Sequence, residues 1–331
     1  KVKAGADVIN QIPANVELAV VSPGWREDHP VISQLRSDGV EILSEIDFAW
    51  QVKQVLAPSQ KWIALTGTNG KTTTIKMVES IFKAAKINGA ACGNVGETVI
   101  ASVCAKKPLD FLAIELSSFQ IHWSNLPEYE SVAVLNIAED HIDWHGSFEA
   151  YAQAKLKLLK HSSKMILNKS DPELARRTSN DAIMWFSLDT PNSGELGVVE
   201  NLLIDRAFSA SPNQANEIAE LVDITPTVPH NVLNALAAAA LALSIGIKYE
   251  DIKIGLKNFS PDHHRMELVL SKNEINWIDD SKATNPHAAA ASLLSNFKVI
   301  WIAGGLAKGA SMGELVKSCL LYTSPSPRDR T

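Results

Sequence analysis

Apolar and polar positions along the chain predict an alternation of strands and helices. The first segment has an apolar strand at Val16–Val21, a helix at His29–Asp38 and a second strand at Val40–Leu43. Gln51–Ser59 is predicted to be a linker. We therefore expect residues 1–50 to be the remnant of an α/β domain.

The clearest pattern lies at Lys61–Lys86 and predicts a strand, a loop and a helix. The apolar run Trp62–Leu65 breaks at a Gly-rich turn, Gly67–Gly70. Beyond this turn, apolar residues recur at helical spacing, at Ile75, Val78, Ile81 and Phe82.

Residues 51–261 are predicted to form a central domain around that stretch. Short apolar runs predict strands at Asp110–Leu116, Val132–Ile137, Met165–Asn168, Ile183–Phe186 and Leu202–Ile204. A helix is predicted at Phe148–His161 with Ser147 as its N-cap, and an Ala/Leu-rich helix at Pro229–Ser244. The succession of strands and helices favours one parallel sheet.

From residue 262 onward the pattern changes and predicts a third domain. Glu267–Leu270 and Ile275–Asp279 alternate around a turn at Lys272-Asn273 and predict a hairpin. Asn285 is expected to cap a helix whose first residue is Pro286.

The end of the chain predicts little further structure. Val299–Ile302 is predicted to be a strand, whereas the Ser/Pro/Arg-rich stretch Tyr322–Thr331 has no apolar period, and we expect disorder from about residue 320. These elements are too few for a complete open sheet. Residues 262–331 are therefore predicted to be a partial domain with a disordered tail.

Composition excludes several classes of partner. The net charge of −6, without a basic stripe, argues against nucleic acid. The most apolar stretch, Ala235–Ile245, is too short to span a bilayer and no signal peptide opens the chain, so we expect a cytoplasmic protein with no membrane partner, and a monomer. Cys92, Cys104 and Cys319 have no CxxC spacing, which favours a reducing compartment over a disulfide framework or a zinc site.

The turn Gly67–Gly70 has the chemistry of a phosphate-binding loop. Its backbone N–H groups and the helix dipole behind them would hold phosphate, Lys71 can reach the terminal phosphate, and the Thr72 hydroxyl can coordinate Mg²⁺. Leu65 stands where the longer Walker pattern has its first glycine, so this is a shortened form. The alternative is an ordinary turn with a solvated lysine. The fold class that follows is multi-domain α/β, with a central P-loop ATPase domain on a parallel sheet, flanked by partial Rossmann-like domains.

Polar side chains at the ends of neighbouring strands are candidates for the rest of the site. Glu115 ends an apolar strand, where a lone carboxylate is costly to bury unless it is paired or binds a metal, so it is a candidate Mg²⁺ ligand. Ser117–Gln120 follow at the rim of the sheet and can reach a ligand. His141 lies in the loop after the next strand, and neutral imidazole is a good metal ligand. Glu139 and Asp140 fit either the site or a solvated loop equally well, and His145 is expected on the surface.

Lys155 lies on the wrong face of its predicted helix. It falls within the apolar stripe, whereas Lys157 and Lys160 point away. A free ammonium there would be desolvated and have a lowered pKa, so it must pair, lose its proton or be chemically modified. The alternative is that Lys155 snorkels to the edge of the helix.

Three further residues have competing explanations. Asn231 and Asn234 share a face in the first turn of their helix and could hydrogen-bond a nucleotide, although capping is the alternative for Asn231. Gly24 ends a Ser-Pro-Gly turn after the first strand and would let a ligand approach, but a simple turn explains it equally well.

Together these motifs resemble the Mur ligases. GTNGKTT at 67–73 is shared with related amide-forming ligases and indicates only the superfamily. The more telling segments are ELSSFQ at 115–120, NIAEDHIDWHG at 136–146, His264-Arg265 followed by Glu267, and DSKATN at 280–285. Over about residues 18–309, they look like the members that add D-glutamate to UDP-N-acetylmuramoyl-L-alanine.

The resemblance implies a role for each matched residue. ATP would be bound by Gly67, Thr68, Asn69, Gly70, Lys71, Thr72, Thr73, Asn231, Asn234, Arg265 and Asp280. The muramoyl substrate and the incoming amino acid would be bound by Gly24, Asn94, Ser117, Ser118, Gln120, Thr284 and Lys308. Two Mg²⁺ ions would be held by Thr72, Glu115, His141 and Lys155, with Lys155 carried as a carbamate. The catalytic residues would be Lys71, His141, Lys155 and Lys282.

The implied activity is ATP-dependent amide formation through an acyl phosphate, in peptidoglycan precursor synthesis, with small-molecule substrates only. The alternatives are a sister Mur or folylpolyglutamate-type ligase, a P-loop phosphotransferase or nucleotide switch, and a nucleotide-binding fragment without catalysis. Relative to the family, we expect the uridine-binding beginning and the continuation that holds the D-glutamate carboxylates to be missing from this chain. We therefore expect truncation at both ends and an impaired substrate site beside an intact ATP site.

Overall fold

The computed structural model describes residues 12–179, 182–209, 211, 213–295, 298–304 and 312–318. Within these ranges the strands are β1 Leu18–Val21, β2 Glu41–Ser44, β3 Lys61–Thr66, β4 Gly89–Gly93, β5 Phe111–Glu115, β6 Ser131–Val134, β7 Met165–Asn168, β8 Ile183–Phe186, β9 Glu195–Val199, β10 Leu202–Asp205, β11 Asn216–Glu220, β12 Glu267–Lys272 and β13 Ile275–Asp279. The α-helices are α1 Pro30–Ser37, α2 Glu45–Leu56, α3 Lys71–Ala84, α4 Val99–Val103, α5 Ser118–Trp123, α6 Ile142–His145, α7 Phe148–Leu156, α8 Pro172–Arg177, α9 Pro229–Ser244, α10 Tyr249–Lys257, α11 Pro286–Leu294 and α12 Gly313–Ser318. Short 3-10 helices follow α7 at Lys157–His161 and β11 at Leu221–Asp223.

A nine-stranded sheet forms the centre, in the order β11-β10-β9-β8-β7-β6-β3-β5-β4. Neighbouring strands from β9 to β4 are parallel, and β10 and β11 extend the sheet in antiparallel fashion. β3 lies between β5 and β6, so the chain order reverses there. Such a reversal leaves a crevice beyond the carboxyl ends of the strands, where ligands of open α/β sheets bind.

Helices cover both faces of this sheet, as the continuous apolar strands require. In β3, Ile63 and Leu65 pack on the side of α3, α9 and α10. Trp62 and Ala64 pack on the other side, with residues of α2, α4, α5 and α7. The prediction of a multi-domain α/β protein built on a large parallel sheet is confirmed.

Two elements differ from the sequence predictions. The prediction that Gln51–Ser59 is a linker is wrong, because α2 continues to Leu56. Ser44 caps this helix, while its Ile46 and Ala49 are fully buried in the core. Beyond residue 50, Val52 packs against the core and buried Lys53 donates to Pro58 O at 2.9 Å, so the last turns of the helix are held across the expected boundary.

The predicted strand Val299–Ile302 is also wrong, since these residues have no strand conformation and the side chains of Ile300 and Ile302 are exposed. An apolar run forms a strand only where a neighbouring strand accepts its hydrogen bonds. Lys308 and the tail Tyr322–Thr331 lie outside the described residues.

Two small sheets flank the central one in sequence. β1 and β2 form a parallel pair, and β12 and β13 form the predicted hairpin, with Asn273 and Glu274 at positive φ in its turn. Asn285 caps α11 as predicted, accepting from the N–H of Ala288. The division into three domains stays a prediction. Among the described helices, none is both long and apolar enough to cross a bilayer.

Candidate active site

The P-loop at the end of β3 has no room for side chains at its glycines. Gly70 adopts φ +83°, and a Cβ there would lie 2.4 Å from Asn234 Oδ1. A Cβ at Gly67 would lie 2.9 Å from Leu135 Cβ. Both positions therefore need glycine, which brings the loop backbone against β6 and α9.

Residues of the neighbouring loop hold the P-loop in shape. Asn136, just beyond β6, accepts from the Asn69 N–H at 2.8 Å and donates its amide to Asn69 O at 3.1 Å. Thr68 Oγ1 lies 2.9 Å from the hydroxyl of Tyr151 on α7. The loop is thus fixed from two sides before any ligand binds.

Lys71 begins α3 and turns its amine back into the loop. Its Nζ donates to Gly67 O at 2.9 Å and to Thr68 O at 3.0 Å. Burial lowers the pKa of Lys71, while Glu115 and Asp140 act in the opposite direction. A cation in this position is available to a phosphate that enters the loop.

Lys155 of α7 is buried beside the same loop, with 1% of its surface exposed. Its Nζ donates to Gly67 O at 2.8 Å and lies 4.8 Å from the centre of the Tyr151 ring. Burial, aided by the positive charge of Lys71, lowers the pKa of Lys155 well below its usual value. The snorkelling alternative is excluded, and an amine that is readily deprotonated can act as a nucleophile.

Glu115 places a buried carboxylate at the carboxyl end of β5. Oε1 accepts from Asn94 Nδ2 at 2.9 Å, whereas Oε2 is buried and has no hydrogen-bond partner among the described residues. A buried carboxylate oxygen without a donor is costly unless a cation satisfies it. The Glu115 carboxylate, together with the hydroxyl of Thr72 in the first turn of α3, offers oxygen ligands of the kind that Mg²⁺ prefers.

His141 is exposed in the loop between β6 and α6 and adopts φ +52°. Its ring lies 4.8 Å from the Phe119 ring, and its Nε2 is 3.6 Å from Asp140 Oδ2. The imidazole therefore lies beside the start of α5 and is accessible from solvent.

The segment Ser117–Gln120 forms the start of α5, and most of its polar side chains are hydrogen-bonded to neighbouring protein groups. Ser117 and Gln120 form a capping box, with side chains hydrogen-bonded to each other's backbone N–H. Ser118 is buried, and its Oγ lies 3.0 Å from His145 Nε2. The expectation that His145 lies on the surface is wrong, because its ring is half-buried, and burial lowers its pKa to about 4.

The turn at Gly24 contacts the loop that carries His141. Gly24 O accepts from Trp144 Nε1 at 3.1 Å, and Arg26 Nη1 donates to Trp144 O at 3.3 Å. A Cβ at Gly24 would meet no atom within 4 Å, so the turn leaves open space beside it.

A cavity of about 590 Å³ extends from the P-loop to the residues after 260. Among the predicted nucleotide-binding residues, its lining includes Asn69, Gly70, Thr73, Asn231, Asn234, Arg265 and Asp280. Lys282 lines it as well. The Arg265 Nε is buried without a hydrogen-bond partner among the described residues, so the cavity contains an unsatisfied donor.

Two of these lining residues, Asn231 and Asp280, also form hydrogen bonds within the protein. Asn231 donates to Pro226 O at 2.9 Å, and Asp280 accepts from the Met266 N–H and is hydrogen-bonded to Ser292. Asn285 Nδ2 donates to Asn69 Oδ1 at 2.8 Å, which joins the DSKATN segment to the P-loop. Thr284 is exposed.

Sequence reasoning missed Asn136, Tyr151 and Trp144. Asn136 had a usable signal, since it is a polar residue at the end of the strand beside the P-loop. Tyr151 falls in the apolar stripe of its helix, which predicts only packing, although a buried tyrosine hydroxyl needs a partner. Nothing in the sequence pairs Trp144 with a turn 120 residues away.

Known proteins are similar in sequence to this chain over most of its length. The Mur ligase middle domain matches residues 65–242, from the end of β3 into α9. The UDP-N-acetylmuramoylalanine--D-glutamate ligase of Thermobifida fusca is 49% identical over 314 residues, 92% of this chain and 67% of that protein. The enzyme of the same name from Streptomyces avermitilis is 43% identical over 313 residues, with the same coverage. The chain thus spans about two thirds of the length of these relatives.

Solved structures share the fold at low sequence identity. A pseudomurein peptide ligase type C from Methanothermus fervidus aligns with a TM-score of 0.57 at 21% identity, over 85% of this chain and 64% of that one. MurF ligase from Thermotoga maritima in complex with ADP aligns with a TM-score of 0.55 at 18% identity, over 84% and 71%. From the family match and the close relatives together, we conclude that this chain belongs to the Mur ligase family.

Proposed function

We propose that this protein is the ATP-dependent ligase that joins D-glutamate to UDP-N-acetylmuramoyl-L-alanine in peptidoglycan precursor synthesis. The observation that carries the proposal is the convergence of Lys71, Lys155 and Glu115 on one P-loop. Two amines bonded to Gly67 O, and a carboxylate whose Oε2 has no hydrogen-bond partner among the described residues, suit phosphoryl transfer between anionic substrates. The D-glutamate specificity is supported by relatives of that name at 39–49% identity.

The nucleotide would occupy the P-loop and the cavity beside it. Backbone N–H groups at the start of α3 and the amine of Lys71 would hold the phosphates. Asn231 and Asn234 face the same cavity from α9. Arg265 would find a partner for its unsatisfied Nε in an anionic group of the ligand.

Mg²⁺ would be held by Thr72 and Glu115 at one site, and by His141 with carbamylated Lys155 at a second. When bound there, Mg²⁺ would offset negative charge on the phosphates. The free oxygen of Glu115 supports the first site. For the second, the lowered pKa of Lys155 favours the neutral amine that CO₂ requires, and the resulting carbamate would supply an anionic ligand at this buried position.

The chain's own residues would then act in two steps. In the first, the substrate carboxylate attacks the γ-phosphorus, the bond to the β–γ bridging oxygen breaks, and ADP leaves with the electron pair. Lys71 exchanges its carbonyl partners for the transferred phosphoryl oxygens and offsets their charge. In the second, the amine of D-glutamate attacks the acyl carbon, loses a proton, and phosphate leaves. Lys282 and Thr284 would orient the incoming amino acid, and Lys308 would join them.

Phosphate release from Mg-ATP tests the proposal. UDP-N-acetylmuramoyl-L-alanine is supplied with D-glutamate, L-glutamate, L-lysine, meso-diaminopimelate or no amino acid. We expect release only with D-glutamate. Release with another amino acid would instead indicate a sister ligase, and release without any would indicate a phosphotransferase. No release, with Mg-ATP binding that Lys71→Ala abolishes, would leave a nucleotide-binding fragment.

A further inference from the structure

His145 occupies a position that the proposed reaction does not yet explain. It ends the single turn of α6, and its N–H donates to His141 O at 3.1 Å. Its ring lies parallel to that of Phe119, with an interplanar angle of 4° and 5.6 Å between centres. The Tyr151 ring meets it edge-on at 5.3 Å. The imidazole is therefore fixed by aromatic neighbours from α5 and α7.

Packing alone does not require a histidine here. A phenyl ring would make the same stacking and edge contacts. The imidazole adds one polar contact, between Nε2 and Ser118 Oγ at 3.0 Å. Ser118 is 2% exposed, begins α5 and is the fourth residue of the ELSSFQ segment, where the family resemblance implies contact with the muramoyl substrate.

A serine hydroxyl rotates freely unless a partner fixes it. It has one hydrogen to donate and two lone pairs to accept. In either imidazole tautomer, the bond to His145 occupies the hydrogen or one lone pair of the Ser118 hydroxyl. The directions of its remaining donor and acceptor sites are thereby fixed. A hydroxyl fixed in this way presents a set orientation to a bound molecule.

We propose that His145 is a positioning residue for the UDP-N-acetylmuramoyl-L-alanine site, which acts by orienting the Ser118 hydroxyl toward the substrate. This inference rests on the proposed function and extends it to a residue outside the P-loop and the metal ligands. It assigns to His145 a part in binding the muramoyl substrate and none in binding ATP.

A double-mutant cycle separates this role from packing. His145→Phe keeps the aromatic contacts and removes the polar one, Ser118→Ala removes the hydroxyl, and the double variant removes both. We expect each single variant to raise the KM for UDP-N-acetylmuramoyl-L-alanine about five-fold, the loss of one neutral hydrogen bond, with the KM for ATP unchanged. The double variant should be no worse than either single one, because both remove the same interaction.

Two further variants complete the design. His145→Gln places an amide near the position of Nε2 and should restore much of the lost affinity. His122→Phe is the matched control, because His122 lies in the same aromatic cluster but is hydrogen-bonded to Glu27. Its effect should add independently to that of Ser118→Ala.

The dissociation constant of UDP-N-acetylmuramoyl-L-alanine, measured by calorimetry without ATP, reports the effect of His145 on substrate binding in the absence of turnover. Equal affinity in the wild type and His145→Phe, additive effects in the cycle, or an equal rise in both KM values would overturn the role of His145 while leaving the ligase activity standing. A wild-type protein that neither binds this substrate nor releases phosphate with D-glutamate would overturn both proposals.

Discussion

Lys155 is an amine in surroundings that suit a neutral or modified group. We predict that Lys155→Ala abolishes ligation, because the proposed carbamate would be lost as a ligand. Added short carboxylates should restore part of the activity by occupying the space that the side chain leaves. The measurement is D-glutamate-dependent phosphate release with and without acetate or formate.

Lys160→Ala is the control for this prediction, since Lys160 follows α7 but is exposed. It should retain full activity. If Lys155→Ala were equally active, the assignment of Lys155 as a metal ligand would be wrong.

The two described cysteines should differ in reactivity. Cys92 is buried at 1% exposure, and burial raises the pKa of its thiol to about 12, whereas Cys104 is exposed. The thiolate is the reactive form, so at pH 8 iodoacetamide should modify Cys104 and leave Cys92 intact in the folded protein. Peptide mass spectrometry reads both sites, and urea-unfolded protein, in which Cys92 should react, is the control. Rapid modification of Cys92 before unfolding would contradict its burial.

At the scale of elements, α10 packs closely against α3 through a glycine. A Cβ at Gly255 would lie 2.5 Å from Ile81 Cα and 2.8 Å from Ile81 N. Alanine favours a helix over glycine by about 1 kcal/mol, but here it must push a backbone away. We predict that Gly255→Ala lowers the free energy of unfolding by about 1–3 kcal/mol, as measured by urea denaturation.

Lys257→Ala, at the exposed end of the same helix, should change the free energy of unfolding by less than about 0.5 kcal/mol. A more stable Gly255→Ala variant would mean that α3 and α10 can separate without loss.

The elements that sequence predicted well carry strong local signals. α9 begins and ends where proline and the Ala/Leu period place it, and β3, β5 and β7 are apolar runs that the sheet buries. β4 and β11, GAACG and NEIAE, have little apolar character and become strands because a neighbouring strand pairs with them. Lys155 could be recognised from the sequence because the apolar stripe of its helix shows which face is buried, and Lys155 lies on that face. The position of Asn136 at the end of a strand could also be recognised, but its bonds to Asn69 and the bond between His145 and Ser118 could not, because these partners are 67 and 27 residues apart along the chain.

At the scale of the whole molecule, two polar contacts among the described residues join the segment after residue 260 to elements of the central sheet domain. Lys76 Nζ on α3 lies 2.5 Å from Asp262 Oδ1, and Asn285 bonds to Asn69 of the P-loop. Both partners in the ion pair are 38% exposed, so salt should weaken it.

We predict that Lys76→Met speeds limited proteolysis between Phe259 and Arg265, because the connection opens more often when the ion pair is absent. Mass spectrometry of early fragments locates the cleavage, and high salt should have a similar effect on the wild type. Lys83→Met is the matched control, since Lys83 pairs with Glu79 within α3. Identical cleavage in the two variants would show that this ion pair does not hold the connection.

The two carbonyl bonds of Lys71 have a consequence for how ligand affinity is interpreted. Without a ligand, the Lys71 amine is bonded to two carbonyls of the loop. When phosphate enters, the amine must give up these carbonyls and bind the phosphate oxygens instead. A measured affinity is therefore the difference between two sets of bonds. Lys71→Ala removes the bonds of the lysine to the two carbonyls as well as its contact with phosphate. The loss of affinity in that variant is therefore a lower bound on the strength of the lysine–phosphate contact.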